Sequence, residues 1–284
     1  MNHILLALFL APGIITDVRK SASEGNLADA DRLVTQHQRE QGVTPESLEA
    51  YSWLARGALA NKKYDEAERY AAETKKRVLA LVKPANLDKE RHLPIALGAA
   101  IEVQAHVLDA KEGRSAAVDY LKQELKTWKT TSIVTRIQKN LNVLSLEGKP
   151  APKLEGMARI PGPALLFFWA HWCPDCKATA PVIAQLQKEF PKLAVAGPTQ
   201  LYGYAAAGRE VGPAEEKAYI EATRAKFYGE VRDMAVPVSQ DNFRSWGAST
   251  TPTLVLVDAA GIVRLYHPGR MTVEELRPHV QKLF

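Results

Sequence analysis

The chain has 284 residues, and its 37 Lys and Arg against 32 Asp and Glu leave a net charge of +5. Hydrophobic residues make up 46% and charged residues 24% of the chain, the ordinary balance of a globular protein. These values exclude a disordered chain, a collagen-like fibre and a disulfide-stapled mini-protein, and the length predicts about two domains. The basic residues form no cluster interleaved with aromatic residues, so we expect no nucleic-acid partner.

The first segment, residues 1–15, contains an apolar run at 4–15 that is typical of the hydrophobic region of a secretory signal. The run is shorter than the roughly 20 residues that span a bilayer. No Lys or Arg precedes it, and the best small-residue cleavage motif, 21–23, follows charged residues. In the alternative interpretation, Ile14, Ile15 and Val18 belong to the first helix of the folded domain. We expect an extracytoplasmic protein, periplasmic or secreted, and no further membrane span, because no other stretch is apolar over about 18 residues.

Residues 16–145 are poor in Pro and Gly and rich in Ala, Leu, Glu and Lys, which predicts a helical domain. One apolar stripe at helical spacing passes through Tyr51 and Leu54, and a second passes through Ala67 and Tyr70. A short polar turn separates the two stripes. This pattern predicts two amphipathic helices that form a hairpin.

The hairpin resembles a tetratricopeptide repeat, since Tyr51, Leu54, Ala55 and Ala67 occupy that family's aromatic, leucine and small-residue positions. Weaker copies are visible at 25–30 and 113–118, but their spacing is irregular rather than the family's regular 34 residues or so. The resemblance implies a tetratricopeptide-like domain that binds a protein partner. A generic helical bundle is the alternative.

The sequence pattern of residues 146–284 differs from that of the helical half. Prolines are frequent near its start, and apolar strand-like runs then alternate with helical stretches. The run 164–170 is wholly apolar, which is typical of a strand covered on both faces. Further strands are predicted near 194–195 and at 254–257 and 262–266, and further helices at 214–228 and 272–283. In the last helix Thr272 and Glu275 form a capping box.

The only two cysteines, Cys173 and Cys176, directly follow the first predicted strand of this half. A structural zinc site needs about four ligands, and no second pair exists. Covalent haem attachment needs a His where the chain has Lys177. A structural disulfide across so short a loop would add little stability. The pair therefore indicates reversible redox chemistry with no cofactor and no metal.

A strand, Trp-Cys-x-x-Cys, a helix, a distant Thr251-Pro252 before a hairpin, and a final helix together resemble the thioredoxin fold. The approach at 148–152 resembles the TlpA/ResA-like branch of that family. The resemblance implies an α/β thioredoxin-like domain behind the all-α helical-hairpin domain. It implies a thiol–disulfide oxidoreductase that reduces protein or peptide disulfides and draws electrons from an upstream thiol donor. A disulfide oxidase or isomerase is the alternative, since the motif alone does not set the direction.

Cys173 is predicted at the N-terminus of a helix, where unpaired N–H groups and the helix dipole favour a thiolate, so we expect it to be the nucleophile. Cys176, about one turn deeper, would resolve the mixed disulfide. Pro174 suits the first helical turn, and it and Asp175 are the expected tuning residues, although the net effect of Asp175 on the thiolate is left open.

The resemblance also implies a substrate-binding surface. Pro252 would be the family's cis-proline beside the cysteine pair, and the backbone of Thr251 would pair with an extended substrate. Trp172 would form an apolar rim next to Cys173, whereas Trp169 is expected in the core.

The chain departs from the family at both of its usual proton-handling acids, because Phe167 and Thr179 stand in their places. His171 is expected to point sideways or outward. The acceptor for the proton of Cys176 stays open among His171, a water and the following carboxylates: Glu210, Glu215, Glu216 and Glu221.

The long segment 197–214, with four Gly, four Ala and two Tyr, either shapes a partner-binding surface or is a loop without a role. Three other functions are weighed. A peroxidase of the peroxiredoxin kind would need Thr at Ala170. A Cu(I) site would use Cys173, Cys176 and a His such as His267. A non-enzymatic adaptor would have no need of two thiols at this spacing.

Overall fold

A computed structural model describes residues 13–231 and 233–284, which divide into two compact units between Ile133 and Val134. The division falls before the predicted boundary at residue 145. The reason is that the last helix of the predicted helical domain packs in the second unit, where the buried Asn142 side chain donates a hydrogen bond to the Trp246 carbonyl at 2.8 Å.

The first unit is built from six α-helices and one 3-10 helix within the described residues. Successive α-helices pack in pairs, and a residue with positive φ stands at the turn of each pair: Gly25, Lys62 and Gly113. The middle pair is the predicted hairpin, and the weaker sequence copies at 25–30 and 113–118 fall at the other two turns. The bounds are α1 Ile14–Ser23, α2 Leu27–Gln41, α3 Pro45–Ala60, α4 Tyr64–Leu81, the 3-10 helix Pro84–Lys89, α5 Leu93–Lys111 and α6 Arg114–Thr127.

Small residues allow these helices to pack closely. Leu54, Ala55 and Ala67 are fully buried in one cluster of this unit. A Cβ added at Gly57 would meet the Ala22 carbonyl oxygen at 2.9 Å, so α1 and α3 could not approach each other as they do. The predicted helical-hairpin architecture is therefore confirmed, while its assignment to the tetratricopeptide family stays a prediction.

The predicted signal segment lies largely outside the described residues. Ile14, Ile15 and Val18 lie in α1, as the alternative interpretation expected, and the helix begins at Ile14. The sequence analysis expected no further stretch that could span a membrane. Helix α5, Leu93–Lys111, is nevertheless long and apolar enough to cross one. Just over half of its apolar window, 56%, is buried inside the protein, which is typical of a core helix.

The second unit contains a four-stranded sheet in the order β2-β1-β3-β4. Strands β1 and β2 are parallel, and β3 is antiparallel to both β1 and β4. The short helix α10 is the one α-helix among the described residues of this unit that the sequence did not predict. The bounds are α7 Val134–Ser145, β1 Ala164–Phe168, α8 Pro174–Glu189, β2 Ala194–Ala196, a 3-10 helix Ala206–Gly208, α9 Pro213–Phe227, α10 Gln240–Ser245, β3 Thr253–Val257, β4 Val263–Pro268 and α11 Val273–Gln281.

The central strand β1 is covered on both faces, as predicted. Leu165 and Phe167 lie in one apolar cluster, Leu166 and Phe168 lie in another, and all four are fully buried. This alternation follows from the two-residue period of a strand. Strand β1 is therefore fixed by packing on both faces, and the chain continues from its end directly into the cysteine motif.

Candidate active site

The two cysteines form a disulfide at the start of α8, with their Cα atoms 5.3 Å apart. Cys173 is the N-cap residue, and its Sγ accepts a hydrogen bond from the Cys176 N–H at 3.0 Å. Both side chains are almost completely buried. When the disulfide is reduced, the first turn of α8 thus presents a backbone donor to the Cys173 sulfur, which favours a thiolate there.

The residues between the cysteines lie in the first turn of α8. Pro174 begins the helix, where its missing N–H costs no hydrogen bond. Asp175 is exposed, and its Oδ1 lies 3.4 Å from Nη1 of Arg270. Arg270 follows β4 in the chain, and no sequence signal linked it to the cysteine motif. The positive charge of Arg270 therefore lies next to Asp175, whose net effect on the Cys173 thiolate was not predicted from the sequence.

Thr251 and Pro252 lie beside the cysteine pair. The peptide bond between them is cis, as the resemblance implied. The Thr251 carbonyl oxygen lies 3.4 Å from Cys173 Sγ, and the Pro252 carbonyl accepts a 2.7 Å hydrogen bond from the Gly269 N–H. The backbone expected to contact a substrate is thus next to the sulfur that would attack it.

The two tryptophans of the motif differ in exposure. Trp169 is fully buried and donates from Nε1 to the Gly197 carbonyl at 2.9 Å, so its predicted core position is confirmed. Trp172 is 46% exposed, and its ring meets the edge of the Tyr202 ring at a centroid distance of 5.5 Å. Burial raises the pKa of Tyr202, so its phenol is neutral at ordinary pH.

The expectation that His171 points sideways or outward is wrong. Its side chain is fully buried, and Nε2 lies 3.1 Å from Oε1 of Glu216, which is itself 1% exposed. The physical reason is that segment 197–214 and α9 fold over this position, and the sequence around the cysteines does not encode that covering. Glu216 was one of four acids considered as proton acceptors, and no local signal distinguished it from the others.

The two positions at which the family usually has a proton-handling acid, Phe167 and Thr179 in this chain, are buried. Phe167 packs against the Tyr228 ring at 5.7 Å, and the Thr179 hydroxyl donates to the Asp175 carbonyl at 2.8 Å. Among residues 13–231 and 233–284, no carboxylate is hydrogen-bonded to either sulfur. In the same residues no three Cys, His, Asp or Glu side chains converge as metal ligands.

Comparison with known proteins places this site in a family. The family model of the thioredoxin-like domain, which describes the sequences of that family, matches residues 161–284 of this chain. A Paracoccus denitrificans protein named thiol:disulfide interchange protein DsbE homolog is 26% identical over 145 residues, which cover 51% of this chain and 72% of that protein. The thioredoxin-like protein YneN of Bacillus subtilis is 28% identical over 116 residues, which cover 39% of this chain and 59% of that protein.

Among solved structures, a secreted Mycobacterium tuberculosis disulfide oxidoreductase is 22% identical, with a TM-score of 0.33 and coverage of 49% of this chain and 85% of that one. The family match includes β1, the cysteine pair, the cis-proline and the closing helix. Residues 161–284 therefore belong to the thioredoxin-like domain family, and their Cys173–Cys176 pair supports thiol–disulfide oxidoreductase activity.

Proposed function

We propose that this chain reduces disulfide bonds in protein or peptide substrates outside the cytoplasm. The observation that carries the proposal is the position of the Cys173 sulfur. It caps α8 at 3.0 Å from the Cys176 N–H, and it lies beside the Thr251 backbone, where an extended substrate can pair.

The reaction has two exchange steps. The Cys173 thiolate attacks one sulfur of the substrate disulfide, which forms a mixed disulfide and releases the other substrate sulfur as a thiolate. Cys176 loses its proton and attacks Cys173 Sγ, which forms the Cys173–Cys176 disulfide and releases the second substrate sulfur. The substrate gains two electrons and the pair loses two. A dithiol donor then returns them to the pair by the same steps.

The surroundings of Cys173 support the reducing direction. Strong oxidants of this kind owe their high potential to a stabilised reduced form. Within the described residues, the polar neighbours of Cys173 Sγ are the Cys176 N–H, which favours a thiolate, and the Thr251 carbonyl oxygen, whose partial negative charge opposes one. Because these two contacts oppose each other, they stabilise the reduced form less than two donors would, which favours the transfer of electrons to a substrate.

The compartment and the partners belong to the same proposal. The apolar run at 4–15 favours export, and substrate disulfides persist in oxidising compartments. The paired helices of the first unit favour a protein-binding role, with a substrate or the thiol donor as the partner.

The test is the reduction potential of the Cys173–Cys176 couple, measured by equilibrating the purified chain in graded thiol/disulfide buffers. Thioredoxin-fold proteins run from about −270 mV for reductants to about −120 mV for oxidants. We expect a value below about −230 mV. A value above about −180 mV would instead make the chain an oxidase or isomerase and overturn the proposed direction.

A further inference from the structure

A buried polar pair lies two residues before the nucleophilic cysteine. His171 and Glu216 are 0% and 1% exposed, and their side chains meet at 3.1 Å. Burying a carboxylate costs free energy unless hydrogen-bond donors surround it. The stability of this buried pair therefore depends on the hydrogen-bond donors around the Glu216 carboxylate.

The Glu216 carboxylate has three N–H partners. Its Oε1 accepts from the Tyr202 N–H at 2.6 Å, and its Oε2 accepts from the Gly203 N–H at 2.8 Å. The third is Nε2 of His171, which must carry the hydrogen because a carboxylate only accepts. Glu216 also lies in the first turn of α9, where the helix dipole favours an anion. One side chain thus links α9, the loop at 202–203 and the cysteine motif.

The His171 ring is enclosed by aromatic edges. Tyr202, Tyr204 and Tyr219 meet it edge-on at centroid distances of 5.5, 5.5 and 5.2 Å. Its Nδ1 is buried and has no hydrogen-bond partner within the described residues, so Glu216 is the polar group there that orients the ring. Tyr202 also contacts Trp172. Tyr202 therefore connects the buried pair to the exposed rim beside Cys173.

Tyr202 also lines a groove on the surface. It has a volume of about 650 Å³ and is lined by residues of segment 197–214: Tyr202, Gly203, Tyr204, Gly208, Glu210, Val211 and Gly212. One of these lining residues, Tyr202, contacts Trp172, which is adjacent to Cys173 in the chain. The groove and the rim beside Cys173 therefore share Tyr202.

We propose that His171 and Glu216 are positioning residues that hold Tyr202 against Trp172, and that these two rings and the groove bind the peptide flanking a substrate's disulfide. This inference rests on the proposed reduction of protein disulfides and names its recognition surface. The occupant is an extended peptide segment, because Tyr202 contacts Trp172, the neighbour of Cys173, and the Cys173 sulfur lies 3.4 Å from the Thr251 carbonyl of the backbone that would pair with a substrate.

The first test replaces Tyr202. Aromatic pairs contribute modestly beyond their buried area, so Tyr202→Ala should raise KM for a disulfide-bonded peptide by about five- to tenfold. Tyr202→Phe, which keeps the ring, should restore the wild-type KM. The KM for 2-hydroxyethyl disulfide, which is too small to reach the groove, should rise in Tyr202→Ala by a much smaller factor than the KM for the peptide. An unchanged peptide KM in Tyr202→Ala would overturn the inference.

The second test replaces Glu216 by Gln, which keeps the shape but turns one acceptor oxygen into a donor. We expect the peptide KM to rise by a clearly larger factor than the KM for 2-hydroxyethyl disulfide. Glu215→Gln is the matched control, since that neighbour is exposed and pairs with Arg209. A purely structural role would lower the melting temperature and leave the KM ratio of the two substrates unchanged, which would contradict positioning.

The two tests distinguish a failure of the proposed function from a failure of the proposed recognition surface. If the wild-type chain fails to reduce even 2-hydroxyethyl disulfide, the proposed function fails. If it reduces that compound and the Tyr202 variants show no KM difference for the peptide, only the recognition surface fails. If Glu216→Gln does not fold, the Tyr202→Ala and Tyr202→Phe pair still decides.

Discussion

The sulfur of Cys173 lies 3.4 Å from the carbonyl oxygen of Thr251, a residue 78 positions later in the chain. This contact brings the end of β1 and the start of β3 to one point, because the two strands are antiparallel neighbours. The proposed nucleophile and the backbone expected to pair with a substrate are therefore adjacent without any rearrangement of the sheet.

The two cysteines should have separable roles. We expect Cys173→Ser to abolish insulin reduction, because no thiolate remains to attack the substrate. Cys176→Ser should instead trap a mixed disulfide, since the resolving thiol is lost. Intact-mass spectrometry after incubation with a peptide disulfide detects the adduct, and circular dichroism checks that both variants fold. Full insulin reduction by Cys173→Ser would contradict the mechanism.

The ion pair of Asp175 and Arg270 should modulate the reactivity of Cys173. Arg270→Gln leaves the Asp175 charge without its partner, which disfavours a thiolate and should raise the pH midpoint of Cys173 alkylation. Asp175→Asn should lower that midpoint. Both side chains are more than half exposed, so we expect shifts of only a few tenths of a pH unit, about what exposed pairs contribute. The measurement is the rate of iodoacetamide alkylation of the reduced protein against pH.

The double variant serves as the control for this pair. If the two charges act through each other, the midpoint of Asp175→Asn/Arg270→Gln should lie close to that of the wild type. Single variants that shift the midpoint in the same direction would show that the ion pair does not act on the thiolate as described.

Gly247 should be intolerant of a side chain. Its φ is +63°, and an added Cβ would meet the backbone nitrogen of Lys139 in α7 at 2.4 Å. We expect Gly247→Ala to lower the free energy of unfolding by about 2 kcal/mol or more. Gly212→Ala is the matched control, since Gly212 has a negative φ and nothing within 4 Å of the added atom. Urea unfolding measures both, and equal stabilities would contradict the close approach of α7.

The ion pair of Glu189 and Arg277 should make stability depend on pH. The Arg277 guanidinium, helped by Gln185, lowers the pKa of Glu189 to about 2. Because this value lies below the ordinary one, the contribution is present above about pH 4.5 and is lost as the pH falls towards 2. Arg277→Gln should therefore be less stable than the wild type at pH 7, and the difference should shrink at pH 2.5.

Urea midpoints at the two pH values provide the measurement, and 1 M salt is the control. The pair is exposed, so salt should reduce the difference at pH 7. A difference that is the same at pH 7 and pH 2.5 would show that Arg277 stabilises the protein by some contact other than the Glu189 carboxylate.

The sequence revealed the parts of the site that are encoded locally. The spacing of Cys173 and Cys176, the apolar strand before them and the capping box of Thr272 and Glu275 all lie within a few residues, and the structure contains each of them. The helical pairs of the first unit were similarly visible, because their apolar stripes repeat at the helical period.

Contacts between distant segments were not visible in this way. His171 was expected to point sideways or outward and is buried against Glu216, 45 residues away. Arg270 pairs with Asp175 across 95 residues. The sequence also placed α7 in the helical half, since its helical pattern does not reveal which unit it packs against.

By itself, then, the sequence determined the chemistry of this protein: a dithiol at a helix N-terminus, behind a buried strand. Only the tertiary structure decided which acid is enclosed with His171 and which aromatic ring faces Trp172. The physical reason is that periodicity and capping depend on neighbours along the chain, whereas burial of a charge depends on donors that distant segments bring together.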